Sequence, residues 1–168
     1  MVIRKTVLSD LDEVCGIYED AREFMRANGN AGQWTGGHPA REVIARDIEA
    51  GKSYVCVDGG TAGSRIAAVF YFCVECEPTY REIDGRWLCG DPYGVVHRIA
   101  RSRRAAGAGA GGHCLNWCFE QCGNLRIDTH RDNAPMRKLL DRLGFAYCGI
   151  ILIENGDERM AYQKTRGA

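Results

Sequence analysis

The spacing of apolar positions divides the chain into alternating strand-like and helix-like stretches. Positions 3–7 read as a short opening strand. Leu11, Val14, Cys15, Tyr18, Ala21 and Met25 then recur at helical spacing up to Asn28-Gly29, with Ser9 as expected N-cap and Asp12 completing a capping box. A polar, glycine-rich loop at 28–38 carries Gln33 and Trp34. Pro39 suits the first turn of a second helix, whose apolar face is Val43, Ile44 and Ile48 and whose stop is Gly51. Residues 53–58 are strand-like, and 65–75 form a long β-branched and aromatic run, expected as a central strand. Residues 77–92 look irregular, 93–100 form another strand, and a helix is expected over 113–122. Residues 125–129 alternate as a strand. Asn133 opens a helix with Met136, Leu139, Leu140 and Leu143 inward, and 146–153 with 159–163 form a closing hairpin around Asn155-Gly156-Asp157. The order is β-α-α-β-β-β-α-β-α-β-β, an α/β (α+β) arrangement.

Length and composition narrow the class. A chain of 168 residues fits one domain, 1–168, that buries roughly 70% of its unfolded surface. Lys+Arg and Asp+Glu balance at 22 each, so no basic field draws nucleic acid or an anionic membrane at long range, and neither is expected as a partner. No signal-peptide h-region follows Met1, and no run of about 18 apolar residues occurs. The nine cysteines are then expected as reduced thiols of a cytoplasmic protein. Cys73-Val-Glu-Cys76 lacks a second pair at zinc-site spacing, and Cys114, Cys118 and Cys122 form one helix stripe, so core packing and no metal are expected.

The distinctive segment is Arg104-Ala105-Ala106-Gly107-Ala108-Gly109-Ala110-Gly111-Gly112, between a strand and a helix. Small residues let a ligand approach the backbone, and unpaired amides at a helix N-terminus favour an anion. The segment reads as a pyrophosphate cradle, or else as a flexible glycine loop or a tight packing contact. Gly107, Gly109 and Gly112 match G-x-G-x-x-G, with Asp128 standing where that fingerprint has its ribose-binding acid. Yet the first glycine lies seven residues past Ala100, and too few βα units follow for a nicotinamide domain.

Arg104, Gly107 and Gly109 also match R-x-x-G-x-G, and Asn133-Ala-Pro-Met136 with Leu139-Leu140-Asp-Arg-Leu-Gly144-Phe145 follows one strand later. Together with the element order, these segments resemble the GNAT superfamily of acetyltransferases. H-R-I-A, C-G-N-L-R-I-D-T-H-x-D-N and A-Y-Q-K are similar to a group of its small bacterial members. The resemblance implies a mixed, mostly antiparallel sheet of about six to seven strands with flanking helices. It implies acetyl-CoA as acyl donor, with the pyrophosphate on backbone amides from Arg104 through Ala105, Ala106, Gly107, Ala108 and Gly109 to Ala110. The pantetheine arm would pair with backbone near Ile99 and Arg101, where strand 95–100 parts from 125–129. Asn133 matches a family asparagine that contacts the cofactor arm, and it equally suits a helix cap.

The implied reaction is direct attack of a neutral primary amine on the thioester, the acceptor being a small molecule, amino acid or peptide. The family's tyrosine acid falls at Leu140, which has no proton to give. Candidate bases are His97 and His130. Glu75 and Glu77 end the long strand and suit amine binding or deprotonation, and Tyr147 is a further donor. Gln33, Trp34, Glu75 and Tyr80 are the candidate acceptor-site residues, since aromatics in loops wall pockets. The alternative is a non-catalytic acyl-CoA-binding or sensing module of the same fold. A homodimer is expected by analogy only.

Overall fold

The two hydrophobic periods sort the chain into eight strands and four α-helices among residues 1–59, 65–104 and 109–167, which the computed structural model describes. In chain order these are β1 (Val2–Lys5), α1 (Leu11–Ala27), α2 (Arg41–Glu49), β2 (Ser53–Val57), β3 (Ile66–Cys73), β4 (Asp84–Gly85), β5 (Gly94–Arg101), α3 (Ala110–Cys122), β6 (Asn124–Thr129), α4 (Ala134–Arg142), β7 (Ala146–Leu152) and β8 (Glu158–Thr165). The strands form one mixed sheet in the order β1-β2-β3-β5-β6-β8-β7-β4. Pairings β1–β2, β2–β3, β6–β8, β7–β8 and β4–β7 are antiparallel, and β5–β6 is parallel.

The chain folds as two compact units. The first comprises Met1–Phe72 and Arg98–Leu115. Its core joins the apolar stripes of α1 (Val14, Ile17, Tyr18) and α2 (Ile44, Ile48) to Val55, Ile66, Val69 and Ala100 of the strands. Each of these larger side chains contributes about 1.5–3 kcal/mol by leaving water. The second unit comprises Cys73–His97 and Asn116–Ala168. There Tyr80, Val95, Ile151 and Ala161 form the core, with Trp87 and Tyr93 packed against it.

Several expectations are corrected. The sheet has eight strands rather than six or seven. The extra one, β4, lies in the stretch expected to be irregular, where Asp84 and Gly85 pair with Ile150 and Gly149. Two glycines permit that approach: a Cβ on Gly85 would sit 2.2 Å from the Cys148 carbonyl oxygen, and one on Gly149 would sit 2.1 Å from that of Asp84. Ser9 does not cap α1, because Leu8–Asp10 forms a 3₁₀ turn ahead of the helix. The Asp10 carboxylate accepts the Val7 N–H at 2.9 Å and the Arg4 guanidinium at 2.6 Å instead. Pro39 precedes α2 rather than occupying its first turn. Helix α3 starts at Ala110, three residues earlier than expected, so Gly111 and Gly112 belong to its first turn. Cys114 and Cys118 on that helix are fully buried, as the core reading of the stripe requires.

Candidate active site

The parallel ladder of β5 and β6 consists of Gly94↔Leu125, Val95↔Arg126 and Val96↔Ile127. The next residue on each strand is His97 and Asp128, so equal register past the last pair puts the two side by side within the second unit. His97 Nε2 lies 3.0 Å from Glu77 Oε2, and its Nδ1 lies 3.8 Å from Asp128 Oδ1. The buried Tyr80 donates its hydroxyl to that same Asp128 oxygen at 2.7 Å. All three chain segments that meet here are anchored locally. Glu77 Oε1 accepts the Thr79 N–H at 3.3 Å and its hydroxyl at 2.9 Å, and the Glu77 N–H donates to the Tyr93 hydroxyl at 3.1 Å. Trp87 Nε1 donates to the Tyr80 carbonyl at 3.0 Å. Arg126 is held between the rings of Trp87 and Tyr93, 4.1 and 3.9 Å from their centroids, and donates to the Cys89 carbonyl at 2.8 Å.

The electrostatics follow from these contacts. The hydrogen bond from His97 brings the Glu77 carboxyl down to about 2 against the opposing effect of burial, so it is ionised at neutral pH. Burial, and then the Asp128 charge, push the Tyr80 phenol well above its ordinary value, so it stays a donor. With Glu77 an anion, Nε2 carries the proton it shares. Nδ1 faces Asp128. His97 thus stands between two carboxylates, Glu77 and Asp128.

The other expected residues of this unit sit elsewhere. His130 Nδ1 accepts the Asp132 N–H at 3.2 Å, in the turn leading to α4. Asn133 is the N-cap of α4, its Oδ1 accepting the Met136 N–H at 3.2 Å. Glu75 is exposed beyond the end of β3, and Tyr147 is exposed on β7. Leu140 is completely buried. Tyr80, expected as a pocket wall, is instead 2% exposed and bonded to Asp128.

In the first unit, Gln33 Oε1 accepts the Asn30 amide at 2.7 Å, and Trp34 packs edge-on against Tyr18 with centroids 5.6 Å apart. Gly109 has φ 97° immediately before α3, in open space, and its carbonyl accepts the His113 N–H at 2.9 Å. Ala110 is buried as the first helical residue. Arg104 is exposed, with its N–H on Ser102 Oγ at 3.2 Å. Ala105, Ala106, Gly107 and Ala108 lie outside the described residues. Ile99 and Arg101 follow a feature that no glycine announces: Arg98 has φ 49° inside β5. Its carbonyl accepts the Tyr18 hydroxyl at 2.9 Å, and its guanidinium pairs with Asp47 at 2.7 Å. Sequence reasoning missed this left-handed residue, and it saw Asp128 only as a ribose-acid lookalike.

A solved acetyltransferase of the GNAT family from Streptococcus agalactiae 2603 matches with TM-score 0.88 and 31% identity, covering 99% of this chain and 96% of that one. This chain belongs to the GNAT family of acetyltransferases. A curated relative from Bacillus subtilis (strain 168), "Uncharacterized N-acetyltransferase YesJ", is 29% identical over 85% of this chain and 80% of its own length. A GNAT-family acetyltransferase from Listeria monocytogenes 4b F2365 shares the fold at TM-score 0.69 and 20% identity, over 97% and 93% of the two chains. No family model matches. Among the described residues no group of histidine, cysteine and carboxylate side chains could hold a metal, and no helix is long and apolar enough to cross a membrane.

Proposed function

We propose that this chain transfers the acetyl group of acetyl-CoA to a primary amine by direct attack, with His97 as general base and Glu77 holding it. The observation that carries this reading is the 3.0 Å contact between His97 Nε2 and an ionised Glu77. The amine nitrogen attacks the thioester carbonyl carbon and forms the new C–N bond. Its proton passes to His97 Nδ1, the C–S bond breaks, and coenzyme A leaves as thiolate and is protonated by solvent. No side chain at position 140 is needed for that last step.

The donor site in this reading is the backbone from Arg104 through Ala105, Ala106, Gly107 and Ala108 to Gly109 and Ala110. Gly109 fits the role: its left-handed conformation turns the chain into α3, and open space surrounds the position a Cβ would take. Backbone groups of Ile99 and Arg101 would receive the pantetheine arm just after the left-handed Arg98. Asn133 enters as the cap that orients α4, and His130 as a turn residue. Gln33, Trp34 and Glu75 remain the acceptor-side candidates.

Calorimetric titration with acetyl-CoA tests the donor, with coenzyme A and NAD as controls. Micromolar binding of both CoA species, weakened at least tenfold by Gly109→Asp, is expected. Absence of binding to either overturns the reading. Thiol release with a panel of primary amines then tests transfer, and binding without release toward any of them refutes it.

A further inference from the structure

Three elements of the first unit converge on Arg98. Its φ of 49° lies in the left-handed region, where a residue other than glycine is strained. Its carbonyl accepts the Tyr18 hydroxyl of α1 at 2.9 Å. Its guanidinium meets Asp47 Oδ2 of α2 at 2.7 Å and lies over the Tyr71 ring of β3, 4.8 Å from the centroid. Tyr18 is buried, and burial raises its phenol above the ordinary value, so the hydroxyl donates at any working pH. Beyond the end of β5, the Ser102 N–H donates to the Ala67 carbonyl of β3 at 2.9 Å. Residues 99–101 are thus fastened on both sides within one unit. Backbone strain of this kind persists only where the surroundings impose it, and it gathers at functional sites.

The geometry of the peptide unit gives the Tyr18 contact a consequence. The unit is planar and trans, so the Arg98 carbonyl and the Ile99 N–H point opposite ways on one rigid plate. A donor on the oxygen therefore fixes where the N–H points. It also polarises the amide, so that the N–H donates more strongly. We propose that Tyr18 and Asp47 are positioning residues of the donor site, acting through the Arg98–Ile99 peptide to aim the Ile99 N–H at the thioester carbonyl of acetyl-CoA. This rests on the transfer reading above, in which backbone groups of Ile99 and Arg101 receive the pantetheine arm. Tyr18 holds the peptide oxygen, and Asp47 holds the Arg98 side chain so that the residue keeps its left-handed conformation. The Ile99 N–H bonds the thioester oxygen. As the amine adds to the carbonyl carbon, that oxygen takes up negative charge and the bond strengthens. Coenzyme A ends in a thiol and has no such carbonyl, so the two helices act on the acyl end of the donor and not on the rest of it.

Calorimetry on the whole chain with acetyl-CoA and coenzyme A tests this. Tyr18→Phe keeps the ring and removes only the hydroxyl. It should weaken acetyl-CoA binding about threefold to tenfold, the range of one hydrogen bond, and leave coenzyme A binding within about twofold. Asp47→Ala should act in the same direction, and Asp47→Asn, which keeps an acceptor for Arg98, should recover most of the loss. Gly109→Asp, in the glycine loop, should weaken both ligands alike. The wild type supplies a readout that needs no variant. In ¹H–¹⁵N spectra the Ile99 amide proton should move downfield with acetyl-CoA and much less with coenzyme A. Equal weakening of both ligands by Tyr18→Phe, weakening of neither, or equal Ile99 shifts overturns the positioning roles while the transfer reading stands. Failure of the wild type to bind either ligand overturns the transfer reading and the positioning roles with it.

Discussion

Asp47→Ala tests how the fold holds the backbone next to the candidate active site. Arg98 sits at φ 49° inside β5, where a non-glycine residue costs about 1–2 kcal/mol. Contacts within the first unit offset that cost. The Arg98 carbonyl accepts the Tyr18 hydroxyl at 2.9 Å, its Nη2 meets Asp47 Oδ2 at 2.7 Å, and its guanidinium lies 4.8 Å from the centroid of the Tyr71 ring. Its Nε is buried without a hydrogen-bond partner, so Asp47 carries the charge balance. Breaking a fully buried ion pair costs about 3–5 kcal/mol. Both side chains here retain 17% exposure, so water recovers part of this and about 2–3 kcal/mol is expected for Asp47→Ala. Tyr18→Phe deletes one buried hydrogen bond, at about 1–2 kcal/mol. Both act on one residue, so the double variant should depart from additivity by at least about 0.5 kcal/mol. Urea unfolding at constant m measures each value, and the Asp47→Ala loss corresponds to a Tm lower by about 4–10 °C. A loss below about 0.5 kcal/mol would mean that water already solvates Arg98, and strict additivity would mean that Tyr18 and Asp47 do not act together on Arg98. Either result refutes the lock.

Other outcomes follow from the same contacts. Glu77→Gln keeps the shape but loses the carboxylate that polarises His97. It should lower kcat about a hundredfold or more, with acetyl-CoA affinity by calorimetry unchanged. The Glu77 carboxyl titrates at about 2 in the fold against an ordinary 4.5, so its stabilisation is complete above pH 4.5 and fades as pH falls towards 2. With partial solvent screening this amounts to about 1–2 kcal/mol, read as the difference between wild type and Glu77→Gln in acid unfolding. An equal acid response of the two proteins would contradict the assignment. Gly85→Ala places a Cβ 2.2 Å from the Cys148 carbonyl at φ 138°, and should cost at least about 2 kcal/mol in urea unfolding while Gly36→Ala, in open space, costs less.

The order of elements was legible because it rests on periodicity, a local property. The stripes Leu11–Met25 and Val43–Ile48 each bury one helix face, and the unbroken run at 66–73 became the largely buried β3. What escaped was set by contacts distant in sequence. The pairing of β4 with β7 joins Gly85 to Gly149 across 64 positions, and two residues carry no strand pattern to detect. The left-handed Arg98 bears no glycine signature, since Tyr18, 80 residues away, and Asp47, 51 away, impose it.

The candidate active site shows the same division more sharply. His97 could be singled out by type and strand position, and Glu77 by its place at a strand end, but nothing local says that they touch. Tyr80 is the instructive residue. As a loop aromatic it suggested a pocket wall, yet it is buried with its hydroxyl on Asp128, 48 positions on. A buried tyrosine must satisfy its hydroxyl, and the sequence alone offers no way to choose the acceptor. Tyr80 fixes Asp128, and Asp128 together with Glu77 brackets His97. The parallel register of β5 and β6 sets His97 and Asp128 beside each other where the ladder ends. The cluster of Glu77, Tyr80, His97 and Asp128 is thus a product of topology acting on ordinary residues, and this explains why a motif search finds the glycine loop and not the cluster.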